Sequence, residues 1–161
     1  MNDGTLWAWG NNANGKLGLG NITNYSSPKQ VGTLTNWLQV SSNYKSALAV
    51  KTDGTLWSWG RNSYGQLGLG TITYYSSPKQ VGALTNWLLV SSGPYSSLFT
   101  SAVKTDGTLW NWGRNTYGQL GDNTSTNQLY VWSGTTWLLV GPLGASNGLD
   151  PLDPSVPSYS T

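Results

Sequence analysis

Apolar and polar residues alternate in short bursts along this chain, and no stretch carries the three-to-four spacing of an amphipathic helix. The segment AVKTDGTLWSWG, residues 49–60, reads as two strands joined at Asp53-Gly54, a pair that strongly favours tight hairpin turns. Trp57 and Trp59 lie two apart and therefore share one strand face, with Leu56 and Ser58 on the other. A Gly-rich polar loop follows, RNSYGQLGLGTITYYSSP, and then short strands near 79–82 and 87–92. Residues 96–105 lead into the next Asp-Gly turn.

The pattern repeats. DGTLW begins at Asp3, Asp53 and Asp106, and the ungapped comparison of 3–42 with 53–92 gives 31 identical positions of 40. Extra residues of the second unit fall between Ser92 and Val103; the third unit keeps DGTLWNWGRNTYGQLG and diverges after Gly121. Alignment also disposes of a nucleotide-loop reading of GNNANGKLGLG, Gly10 to Gly20. Lys16 becomes Gln66 and Gln119, and Leu17, Leu67 and Leu120 stand where a phosphate loop needs a hydroxyl. Four short strands per unit of about fifty residues predict an all-β fold of about three four-stranded antiparallel blades of propeller type, an incomplete β-propeller. The expected domain is 1–141, with repeats at 3–52, 53–105 and 106–141. Within the last, 129–132 and 137–140 read as a hairpin turning at 133–136, and residues 142–161 form an irregular Pro/Gly/Ser-rich tail.

The string AVKTDGTLWSWGRNSYGQLGLG resembles the regulator of chromosome condensation repeat family, whose G-Q-L-G signature stands at Gly65–Gly68 and Gly118–Gly121. Gly15–Gly18 carries Lys in place of Gln. The resemblance implies a closed ring of about seven blades, for which this chain supplies about three. Only Met1 and Asn2 precede the first Asp-Gly, so the strand found before the other two turns, at 47–52 and 101–105, has no counterpart there. An open arc exposes apolar faces and strand edges. The expectation is therefore assembly with other chains, or a place in a larger polypeptide. The string LYVWSGTTWLLVGP looks like short modules of bacteriophage tail and fibre proteins, which points to a virion or cell-surface location.

Composition narrows the chemistry. The 161 residues include 21 Gly and 10 Trp but no Cys, His or Glu, and only 9% are charged. The usual general bases, thiolates and metal ligands are thus missing, and neither an enzyme nor a cofactor is expected. Asp122, Asp150 and Asp153 show no metal-binding spacing. The net charge of +2 comes from scattered Lys and Arg, which gives nucleic acid no foothold. No apolar run approaches a membrane span, and no signal peptide is visible.

The residues singled out fall into three sets. Asp3, Gly4, Asp53, Gly54, Asp106 and Gly107 are expected as structural turns, since Asp caps its own turn and Gly takes the left-handed backbone. Trp7, Trp57 and Trp110 share one repeat position, Trp9, Trp59 and Trp112 a second, and Trp37 and Trp87 a third; all eight are expected in the core between blades. Tyr25, Tyr64, Tyr74, Tyr75 and Tyr117, with Arg61 and Arg114, lie in polar loops and are the candidate contacts to a partner or glycan.

Three functions compete. The first is a structural interaction module, part of a phage particle or surface fibre, that assembles as a homo-oligomer or with other virion or surface proteins. The second is a multivalent carbohydrate-binding adhesion module, which requires exposed aromatics at equivalent blade positions. The third, guanine-nucleotide exchange, belongs to the eukaryotic member of the family, and none of its contact residues can be placed here.

Overall fold

The computed structural model describes residues 3–93 and 98–121, together with the backbone of 128–132 and 137–142. Among the described residues there is no helix. The first unit forms β1 (Trp7–Gly10) and β2 (Tyr25–Gln30), a two-stranded antiparallel sheet. Next come β3 (Trp37–Ser42), β4 (Ser46–Lys51), β5 (Leu56–Gly60) and β6 (Tyr75–Gln80), which pair in that order as one four-stranded antiparallel sheet. A third sheet holds β7 (Trp87–Ser92), β8 (Phe99–Lys104) and β9 (Leu109–Gly113). Finally β10 (Gln128–Trp132) lies against β9 and pairs with β11 (Trp137–Pro142). The predicted hairpin at the end of the chain is therefore present, while its turn, 133–136, and the tail beyond 142 lie outside the described residues.

The blade architecture agrees with the sequence reading, with two differences. The strand expected near 79–82 runs from Tyr75 to Gln80, because Pro78 sits on an outer strand where a missing N–H costs the sheet nothing. The sheets are also offset from the sequence repeats. The inner pair β3–β4 comes from the first repeat and the outer pair β5–β6 from the second, so each junction in the sequence lies inside a sheet.

Register follows from the Asp-Gly turns. Ala47 faces Trp59 and Ala49 faces Trp57 across β4 and β5, small opposite large, so the indoles have room to lie down. Between the second and third sheets Leu48, Val50, Leu56, Val81, Trp87, Val90, Trp110 and Trp112 form the larger core. Between the first and second, Trp37, Ala47, Ala49 and Trp59 form the smaller one, with Leu6 and Trp57 packed against it. The inner strands β3 and β7 are clasped by a side chain: Gln39 donates from Nε2 to Val90 O (2.7 Å) and accepts from Val90 N (2.8 Å). Ser41 Oγ accepts from Ser92 N nearby, at 2.9 Å.

The Gly10–Gly20 loop is a chain of turns. Asn12, wholly buried, accepts from Leu17 N (2.9 Å) and donates to Asn21 O (2.9 Å). Asn62 does the same for Leu67 and Thr71, and Asn115 accepts from Leu120 N. Each loop thus replaces missing ladder bonds with one buried amide, and the glycines take the left-handed turns around it.

Candidate functional site

At one end of the blades the DGTLW motif builds the same relay three times. Asp53 Oδ1 accepts from Thr55 N (3.0 Å) and Thr55 Oγ1 (2.6 Å), and Thr55 Oγ1 accepts from Trp57 Nε1 (2.8 Å). Asp3–Thr5–Trp7 and Asp106–Thr108–Trp110 repeat it. Each aspartate bonds within its own Asp-Gly turn, and the relay accounts for the Thr and Trp that accompany it. The Thr hydroxyl first, then the Thr backbone N–H, holds each carboxyl below the usual carboxylate range. Lys51 completes the second relay: its Nζ lies 3.7 Å from the Trp57 ring centre and 4.8 Å from that of Trp37. Lys104 sits likewise over Trp110 and Trp87, at 3.5 and 5.1 Å. Burial against the indoles pushes both ammonium groups down, while Asp53 and Asp106 pull them back up.

A pH dependence follows. Because the three carboxyls are depressed only in the folded chain, the stability they add is complete above the unfolded value of about 4 and is lost as pH falls through their folded values. Urea unfolding midpoints are expected to be lower at about pH 3 than at about pH 6, with Asp53→Asn flattening part of that difference.

The tryptophans divide. Trp59 and Trp112 are fully buried, their Nε1 groups donating to Lys16 O (2.8 Å) and Gln66 O (3.1 Å) of the preceding loop. Trp37 meets Trp57 and Trp59 edge-on at 6.2 and 6.1 Å, and Trp87 meets Trp110 and Trp112 at 5.8 and 6.2 Å. Trp7 and Trp9 are not in the core: they are 49% and 59% exposed. The cause is positional, since β1 pairs with β2 alone and no strand bearing a counterpart of Trp37 covers it among the described residues.

The opposite end carries the tyrosines and cations. Arg61 Nε donates to Ser63 Oγ (2.9 Å), and Arg114 Nε to Thr116 Oγ1 (3.2 Å), which fixes each guanidinium plane. Arg114 lies between Tyr64 and Tyr117, 5.3 and 5.2 Å from their ring centres. Tyr117 is 80% exposed and Tyr74 is exposed as well. Tyr25 and Tyr75 instead begin outer strands beneath Lys29 and Lys79. Sequence reasoning missed Tyr44, which gathers Lys16 (5.3 Å) and Lys45 (5.7 Å) over its ring, while Lys16 Nζ also donates to Tyr44 O. That contact joins residues 28 apart and left no local signal. Lys51 and Lys104, at the fixed K-T-D-G spacing, did leave one. Among the described residues no three His, Cys, Asp or Glu side chains gather as a metal site.

Strands in antiparallel blades, a buried Asn and left-handed glycines in each loop, and tryptophan-lined junctions define a β-propeller repeat protein of open arc. A sequence profile of the regulator of chromosome condensation (RCC1) repeat matches residues 3–50, 53–100 and 106–132, and a second profile of the same description matches 37–66. The chain belongs to the RCC1 repeat family. Among curated proteins none matches its sequence.

Similar solved structures include human WBSCR16, at 25% identity and TM-score 0.64, over 83% of this chain and 34% of that one. Prp20p from Saccharomyces cerevisiae, studied for binding to Gsp1p and histones, gives 21% and 0.64, over 74% of this chain and 31% of its own. Yeast RCC1 (Prp20) bound to Kap60 gives 23% and 0.60, over 78% of this chain and 30% of its own. At the latter two identities the likeness is one of fold. The chain spans about a third of the length of each.

Proposed function

We propose that this chain is a non-enzymatic protein-interaction module that associates with other polypeptide through the uncovered face of β1–β2. One contrast carries the reading: Trp59 is 2% exposed, while Trp9, at the same repeat position, is 59% exposed. In the second sheet Trp37 and Lys51 cover the indoles that Trp7 and Trp9 leave open. Large paired aromatics left in water are a strong drive to association. The protein partners of the yeast relatives support a module of this kind.

Placement in a phage particle or surface fibre is part of the same proposal, and the string at 129–142 is its support. No observation favours the glycan reading, which needs matching exposed aromatics on successive blades: Trp57 and Trp59 are covered where Trp7 and Trp9 are open.

Size-exclusion chromatography with light scattering tests the proposal. The chain is expected to run as a dimer or larger species, and Trp7→Ser with Trp9→Ser to shift it to a monomer with unchanged circular dichroism. A monomeric parent chain overturns the reading.

A further inference from the structure

The two ends of the blades differ in charge. The described residues hold three carboxylates, Asp3, Asp53 and Asp106, all at the Asp-Gly turns. The loop end lies one strand length away, about 17 Å. It presents Lys16, Lys45 and Arg61, with Arg114 held among Tyr64, Thr116 and Tyr117, and no carboxylate among the described residues there.

These cations are not by-products of the repeat. Each unit brings at least one to this end, from different positions, and the first brings two, Lys16 and Lys45. The second and third use Arg61 and Arg114 just after the strand, where the first has Asn11. The first unit uses Lys16, where the others keep a Gln that ties down its own loop. Gln66 Oε1 and Gln119 Oε1 accept from the backbone N–H of Tyr64 and Tyr117, at 2.9 and 2.8 Å. Unit one gives up that bond and gains a charge. The exchange places a cation of the first unit at this end too, held over Tyr44 beside Lys45.

The cations and tyrosines are also coupled into a strip. Lys16 and Lys45 share the Tyr44 ring, Lys45 O accepts from Arg61 N (2.9 Å), and Arg114 bridges the loops of Tyr64 and Tyr117. Stacking on tyrosine orders long side chains that would otherwise lose entropy on binding. Ser63 holds the Nε of Arg61, and the two Nη groups of a guanidinium match a carboxylate with two parallel bonds.

We infer that the loop end is a docking strip for an acidic segment of a partner protein, one that presents carboxylates to Arg61, Lys45 and Lys16. A nucleic acid fits less well. Single strands bind by stacking bases on open aromatic faces, and here one face each of Tyr44, Tyr64 and Tyr117 is taken by a cation. This strip is separate from the open face of β1–β2 and stands whether or not the chain self-associates.

Fluorescence anisotropy with a labelled alternating Glu-Gly peptide tests it at low salt. The peptide is expected to bind, and Lys45→Gln with Arg61→Gln to weaken it about tenfold. Lys29→Gln with Lys79→Gln removes the same charge from the outer strands and is expected to change affinity less than about twofold. The reversed pair, Lys45→Glu with Arg61→Glu, is expected to lose the acidic peptide and gain a Lys-Gly one, which shows that the variant still folds. No binding by the parent chain, equal losses in the two Gln pairs, or tighter binding of oligothymidylate than of the acidic peptide overturns the inference.

Discussion

Gly54→Ala is expected to lower the unfolding free energy by about 3 kcal/mol, read from urea denaturation. Gly54 has φ +77°, and a Cβ there would stand 1.9 Å from Thr85 O, a backbone atom with little room to retreat. That contact is a joint between blades, because Gly54 O accepts from Trp87 N (3.0 Å) as the next inner strand begins. Gly4 makes the same joint with Thr35 and Trp37. Gly107 occupies the third equivalent turn at φ +83°, yet among the described residues nothing lies within 4 Å of its Cβ position. Gly107→Ala is therefore expected to carry only the left-handed backbone cost, about 1 kcal/mol. Equal losses at the two glycines would show that backbone conformation, not the joint, sets the requirement.

Trp59→Ala is expected to destabilise by about 4 kcal/mol and, at a dilution that keeps the chain monomeric, Trp9→Ala by less than about 1 kcal/mol, both followed by circular dichroism in urea. Removing Trp59 empties a space bounded by Trp37 and Gly18 and leaves Lys16 O without its donor. Gly18 is present because a Cβ there would come within 2.8 Å of the Trp59 indole nitrogen. Trp9 has no such cover. Similar losses at both sites would mean that Trp9 is also packed within the monomer, because dilution removes self-association.

Much of this was legible in the chain. Asp-Gly between alternating runs located every hairpin turn of the DGTLW type that the structure describes, and tryptophans two apart gave the face that packs. The threonine of DGTLW is as constant as its aspartate, so the relay to the indole was there to be read from spacing alone. Trp7 and Trp9 were misplaced because a repeat carries identical letters into unlike surroundings, and burial belongs to the neighbours. The offset between repeats and sheets was hidden for a related reason: a periodic string has no natural starting point, so nothing in it marks where one sheet ends. Tyr44 and its two lysines meet only through tertiary folding.

That offset governs how the molecule comes apart. Each unit places strands in two sheets, and the second supplies the outer half of one and two of the three strands of the next, so a unit that melts strips hydrogen bonds from two layers at once. Loss of order in one place is then passed to both sides, and the arc should denature as a single cooperative body instead of peeling one module at a time.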